Sequence, residues 1–484
     1  MTDTQATSAD RKLFFLFLLL LVWAPIPLGS NRPWASAILE IGIFGIAIVW
    51  LWLYALGQTR LHTPFRNAWP AMLLFACWLL LLLLQLIPLP NGLIELISPA
   101  HTSLLLLEPP SGARTLSLEP YASIGFMLKS CAYVLAFCLT LAFVRTRSRL
   151  RTIAFVILGS GLMQALFASF MHLAKLDYEL FFTRFAHSGS ASGTFVNRNH
   201  LAGYLEICLA LGIGMMIATL RGGPTQSWKQ RLRNAAGWML SARVLLRISL
   251  VIMVVALIMT RSRMGNAAFF NSMLITGVLG LIWSKYAPRS TVILLMSLVI
   301  IDIFVAGTWF GVENLVKRYE QTTVYREVQP TGGSVEERVE PGLYAAEMLK
   351  DYPMIGSGGG TFYVAFPKYR IAAISAYFDY AHNDYIQIAT ETGLVGLALL
   401  GSIVLSTLFA SLRTLQRRRD PLARGIAFGV TMGIIALMIH SWVDFNLQIP
   451  ANALTFAVLQ ALGWIAHSLD RYHGSDEDEG QAAA

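Results

Sequence analysis

Long apolar runs broken by short polar connectors recur along almost the whole chain. Runs of about 18 residues or more, enough to cross ~30 Å of hydrocarbon as a helix, stand at 13–29, 34–56, 69–89, 121–144, 150–173, 201–220, 244–260, 264–283, 291–312, 386–412, 425–443 and 451–467. The pattern predicts an all-α polytopic membrane protein with about 12 transmembrane helices. The pair at 244–283 is the least continuous, because Arg261 and Arg263 interrupt it. The first run is too long for a cleaved signal peptide and lacks a small-residue cleavage site. Composition agrees: 55% of residues are hydrophobic and 13% charged, against about a quarter charged in soluble chains.

Basic residues set the expected orientation. Arg145, Arg147, Arg149 and Arg151 crowd one connector. Arg221, Lys229, Arg231, Arg233, Arg243 and Arg247 fill another, and Arg413, Arg417, Arg418, Arg419 and Arg424 load a third. Alternating the helices puts all of these on one face with Arg11 and Lys12. The positive-inside rule makes that face cytoplasmic, with both termini. The net charge of +9 is then a topology signal, and no nucleic-acid partner is expected. The tail 468–484, with its "SDEDEG", reads as a solvated, disordered cytoplasmic end. Cys77, Cys131, Cys138 and Cys208 fall inside apolar runs, so neither a disulfide framework nor a metal site is expected from them. The outward connectors are 90–120, 174–200 and 313–385. The last contains "EERVEPGLYAAEMLKDYPMIGSGGGTF", an amphipathic helix stopped by Pro353 and followed by a glycine-rich turn. No internal repeat is visible, so one membrane domain with one inserted external loop is expected.

Ionisable residues inside apolar runs are costly and point to function. Glu40, Lys129, Glu206, Arg261, Arg263, His440 and Asp444 lie toward the outer ends of their runs, and Asp302 near the midplane. This bias suggests a polar cavity open to the outside; internal ion pairing, for example of Glu206 with an arginine, is the alternative. Glu206 follows Asn199 by seven residues and should share its helical face. His440 and Asp444, four apart, should do likewise. Asn197, Arg198, Asn199 and His200 form a polar mouth at the start of the run at 201–220. In "YAHNDYIQIATETGLVG", Asn383 is a candidate N-cap, and Asp384, Gln387 and Glu391 make one polar stripe. His382, just before it, is a candidate general base, because its ordinary pKa lies near neutrality. No phosphate-binding Gly-Lys-Ser/Thr loop, His-Glu-x-x-His or external Asp-x-Asp is present. No metal and no cofactor are therefore expected. Arginines at a membrane surface suit a phosphate or diphosphate.

"GTFVNRNHLAGYLE", "TRSRMG", "ERVEPGLYAAEMLKDYPMIGSGGGTF", "AHNDYIQIATETGLVG" and "HSWVDFNLQIPANAL" together resemble the O-antigen ligase family of bacterial inner-membrane glycosyltransferases. That family also includes O-antigen polymerases and protein O-oligosaccharyltransferases. The resemblance divides the chain into 1–190 (N-terminal transmembrane helices), 191–467 (the ligase-like region, with the periplasmic loop 313–385) and the tail 468–484. It implies a GT-C-like architecture and a metal-independent, inverting transfer of a glycan from undecaprenyl diphosphate. The acceptor would be a hydroxyl of lipid A core, polysaccharide or protein at the periplasmic face. Carried over by motif, His382 is the general base or acceptor-positioning group. Arg263 and Arg338 neutralise the diphosphate. Arg198, Asn197, Asn199, Arg261, Asn383, Asp384 and Glu391 are the further candidate substrate-binding residues. Met264 stands where a glycine often follows the motif arginine, leaving open which of Arg261 and Arg263 faces the donor. Outside this class, a secondary transporter or flippase would use Glu40, Asp302 and His440 as a proton relay, and a non-catalytic assembly subunit would not need the arginine and histidine set.

Overall fold

The computed structural model describes residues 8–98, 114–176, 189–219, 242–283, 335–370 and 378–469. Their regular structure is helical, apart from an isolated antiparallel bridge between Leu89 and Arg114. The long helices are α1 (Ser8–Trp23), α2 (Pro33–Ala55), α3 (Trp69–Leu86), α4 (Pro120–Phe143), α5 (Arg147–Leu173), α6 (Arg198–Thr219), α7 (Ala242–Met259), α8 (Arg263–Trp283), α9 (Val335–Asp351), α10 (Asp384–Arg417), α11 (Pro421–His440) and α12 (Pro450–Ser468). Among the described residues, eight are long and apolar enough to span a membrane: α2 to α6, α8, α10 and α11. Helices α1, α7 and α12 occupy three more of the expected runs. The run at 291–312, with Asp302, lies outside the described residues, as do 221–233 and the first part of the large loop. The expected α1 extends to residue 29, but the helix stops at Trp23. Pro25 and Pro27 come next, and neither can donate the backbone N–H that would continue it.

Packing makes α6 and α11 the centre. In its most apolar window α6 is 89% buried and α11 78%, whereas α2 and α10 are 28% buried and leave most of their surface exposed. Small residues let the two central backbones meet. A Cβ at Gly214 would lie 2.2 Å from the Gly425 carbonyl oxygen, and one at Gly425 would lie 2.3 Å from that of Gly214.

The two ends of the bundle differ in chemistry. At one end, the buried Asp10 carboxylate receives Arg145 and Arg149 at 2.8 Å each, and Arg147 pairs with Asp420 at 2.6 Å. Arg418 donates to the His467 carbonyl oxygen there. At the other end, the starts of α6, α8, α10 and α12 converge on the end of α11 and the turn beyond it. Residues of the connectors expected on the cytoplasmic face thus gather at one end; the opposite end carries the candidate site.

Candidate functional site

The segment 381–391 shows how the local sequence builds the site. Asn383 is extended (φ −157°, ψ 110°) and caps α10, its Oδ1 accepting from the N–H groups of Tyr385 (3.0 Å) and Ile386 (3.1 Å). Its Nδ2 donates to the Trp442 carbonyl oxygen at 2.9 Å. The residue before it, His382, is half-buried and left-handed at φ 51°. Such a conformation persists in a non-glycine residue only where its surroundings hold it.

The polar stripe is where the sequence put it, but its hydrogen bonds go to the protein itself. Asp384 Oδ2 accepts from Ser441 Oγ (2.8 Å) and from the Leu447 N–H (3.1 Å). Gln387 Oε1 accepts from the Ala381 N–H at 2.7 Å, and its Nε2 donates to Glu391 Oε1 at 2.6 Å. Glu391 Oε1 also accepts from the Phe362 N–H at 3.2 Å. All three side chains are buried. The stripe therefore fixes the backbone on both sides of His382.

Across from it, α6 and the turn after α11 interlock. Asn197 Oδ1 accepts from the Asn199 N–H at 2.9 Å and so opens α6. Asn199 Nδ2 donates to Asp444 Oδ2 at 2.5 Å, and His200 Nε2 lies 3.5 Å from Asp444 Oδ1. Further along α6, Glu206 Oε1 lies 2.7 Å from His440 Nδ1, both side chains at 0% exposure. Asn452 Nδ2 donates to the His200 carbonyl oxygen (3.0 Å) and to Asn446 Oδ1 (3.2 Å). Burial by itself would raise the Asp444 carboxyl, but the neighbouring His200 and His440 imidazoles outweigh it, holding Asp444 well below the ordinary range. Removing one member of a buried pair such as Glu206–His440 leaves the other uncompensated, a cost of about 3–5 kcal/mol.

Two expectations change here. Glu206 and His440 do not line an open cavity, nor does Glu206 meet an arginine; they pair with each other in the core. His440 and Asp444 do not share a helical face, because α11 ends at His440 and tight turns at Ser441, Trp442 and Val443 succeed it. Those turns point Asp444 at α6 instead. The expectation that Asn199 and Glu206 share a face agrees with the fold, since both reach the 440–444 segment.

Phe445 joins the two halves. Tyr380 stacks on it at 4.5 Å, and His382 and His200 meet it edge-on at 4.9 and 4.7 Å. At the same end of the bundle, the break between α7 and α8 carries Arg261 (φ 53°) and Arg263, both exposed. Thr260 Oγ1 accepts from the Ser262 N–H, and Ser262 Oγ from that of Gly265. This seats α8 so closely on α6 that a Cβ at Gly265 would lie 2.6 Å from Ala202 Cβ and 3.2 Å from Glu206 Oε1. Arg198, half-buried, opens α6 at the same end. Arg338 falls on α9, but its side chain lies outside the described residues.

The sequence placed His200 in the polar mouth but named no role for Ser441, Asn446, Asn452, Tyr380 or Phe445. For Ser441, Phe445, Asn446 and Asn452 the signal was present in "HSWVDFNLQIPAN", a dense polar stretch between two apolar runs. Its partners, however, lie on distant segments.

No curated protein matches the chain. Residues 248–401, about a third of the chain, match the family model described as O-antigen ligase. The match includes the α7–α8 break, α9, the glycine-rich turn and the His382 segment; "GTFVNRNHLAGYLE" and "HSWVDFNLQIPANAL" lie outside it. Through that segment, the chain is similar to the O-antigen ligase family.

Proposed function

We propose that the protein is a metal-independent glycosyltransferase acting at the end of the bundle opposite the basic connectors, which is the periplasmic face of the inner membrane. One observation carries the reading. The exposed Arg261 and Arg263 and the left-handed His382 stand at the same end, around one buried scaffold, in the segment that matches the family. A donor reaching that face arrives in the outer leaflet as a glycan on undecaprenyl diphosphate. His382 takes the proton of an acceptor hydroxyl as its oxygen attacks the anomeric carbon from the side opposite the diphosphate. The bond from that carbon to the diphosphate breaks, and the leaving group departs with the electron pair. Arg263 and Arg338 neutralise it, with Arg198, Asn197 and Arg261 around it, while Asn199 is turned inward onto Asp444. Guanidinium suits this role because it stays charged and grips phosphate oxygens in pairs. The acceptor is a hydroxyl of lipid A core, of another lipid-linked repeat or of protein.

Purified protein in vesicles, given undecaprenyl-diphosphate-linked glycan and acceptor, makes a new glycosidic bond in excess chelator and without an ion gradient. Substrate crossing the vesicle in response to a pH gradient, with no new bond, would establish a transporter instead. Activity lost in chelator and restored by Mg²⁺ or Mn²⁺ would replace the arginines by a cation.

The arginines separate by substitution. Arg263→Lys and Arg338→Lys keep charge but lose the planar fork, so both lower transfer strongly, with weaker donor binding in at least one. Arg261→Lys is milder, because Arg263 is the motif arginine. The measurement is the donor KM and kcat of each variant. A larger loss in Arg261→Lys than in Arg263→Lys would reverse their roles.

A further inference from the structure

The buried scaffold does more than fill space between helices, because its contacts lead to one strained residue. We propose that Glu206 and His440 are positioning residues for His382; the proposal rests on the reading of His382 as the base. Their contact at 2.7 Å, with both side chains at 0% exposure, ties α6 to the last residue of α11. Directly after α11 comes the turn that holds His382. Trp442 offers its carbonyl oxygen to Asn383 Nδ2, Ser441 Oγ and the Leu447 N–H donate to Asp384, and the Ser441 carbonyl oxygen accepts from the Asp384 N–H at 3.0 Å. Phe445 then sets the His382 ring from the side, at 4.9 Å between centroids. The left-handed His382 thus depends on a turn whose first anchor is the Glu206–His440 pair. The influence of the pair on His382 passes through residues 441–447.

A polar pair serving only to hold helices together would have no reason to sit where one helix ends and the histidine-holding turn begins. The base of an inverting transfer must meet the acceptor hydroxyl within hydrogen-bond reach, and a displacement of about 1 Å is enough to cost ~10²-fold in rate. Placement of His382 is therefore where a remote residue has the greatest leverage on kcat.

A double-mutant cycle in the full-length protein tests this. The donor probe is undecaprenyl-diphosphate-linked oligosaccharide extracted from the native membrane, the acceptor comes from the same extract, and the readout is release of undecaprenyl diphosphate. Glu206→Ala lowers kcat by about tenfold or more in the wild-type background. It lowers kcat by less than about twofold in the His382→Ala background, where there is no imidazole left to misplace. Glu206→Gln, which keeps an oxygen toward His440, restores most of the rate. If Glu206→Ala does not insert, His440→Asn enters the same cycle. Amide hydrogen exchange across residues 378–386 gives a substrate-free check: it accelerates in Glu206→Ala or His440→Asn. Equal losses in both backgrounds, or unchanged exchange at 378–386, would reduce the pair to general structural support and overturn the proposal. Near-wild-type rates in His382→Ala itself would instead overturn the reading of His382 as base.

Discussion

His382→Ala inserts and folds, and its transfer rate falls by about 10²- to 10⁴-fold, the range that loss of a general base produces. The fold tolerates the change for a local reason. The imidazole is half-buried and edge-on to Phe445 rather than a member of the core. The neighbouring backbone is pinned independently, by Gln387 on Ala381 and by the Asn383 cap on Tyr385 and Ile386. Alanine is less at ease than histidine at a φ of 51°, which costs about 1 kcal/mol. His382→Asn therefore serves as a second variant, since asparagine tolerates the left-handed region but is not a base at neutral pH. Both variants should lose transfer, while donor KM changes little because the arginines remain. The comparison is read from kcat and KM on protein whose thermal unfolding matches wild type. Transfer near the wild-type rate in both would exclude the imidazole as base.

The helices were legible because a membrane reduces the problem to length and hydropathy: a backbone in lipid must satisfy its own hydrogen bonds, and a helix does so locally. The N-cap at Asn383 and the stripe Asp384–Gln387–Glu391 were legible for a similar reason, since each is a short-range relation along one chain segment. The destination of the stripe was not. A buried carboxylate facing substrate and one facing a turn about 60 residues later have the same periodicity. Glu206 and His440 are separated by 234 residues, and nothing local to either marks the other as its partner. His440 and Asp444 failed differently. Their spacing of four implied one helical face, but the 3.6-residue period applies only while the helix lasts, and α11 stops at His440. The glycine-rich stretch was correctly read as a turn; its packing partner depended on a break inside an apolar run that hydropathy alone does not show.

That break makes the largest stability effect a single methyl group. Gly393→Ala should destabilise the protein by about 3 kcal/mol or more, and transfer should fall with it. Within α10, Gly393 adopts φ 68° and ψ −178°, a region open essentially to glycine alone. The interruption exposes backbone that the loop after α9 then uses. The Thr390 and Glu391 carbonyl oxygens accept from the Ser357 and Gly358 N–H groups at 3.0 Å each, and the Leu394 N–H donates to the Pro353 carbonyl oxygen at 2.8 Å. Gln85 from α3 closes the junction, donating to the carbonyl oxygens of Ile355 and Glu391 and accepting from the Gly359 N–H. There is no space for a side chain: a Cβ at Gly393 would lie 2.1 Å from the carbonyl carbon and oxygen of Met354. Relief requires either straightening α10 or lifting the loop. Both disturb Glu391, whose Oε1 holds Gln387 and through it the backbone before His382. Gly401→Ala provides the comparison, because Gly401 lies further along the same helix with nothing within 4 Å of an added Cβ. Alanine there should leave stability unchanged or slightly improved, given its higher helix propensity. Thermal unfolding in detergent, read beside the transfer assay, distinguishes the two variants. Equal unfolding temperatures for Gly393→Ala and Gly401→Ala would mean that α10 can run through residue 393 unbroken, and that the loop does not depend on the break for its seat.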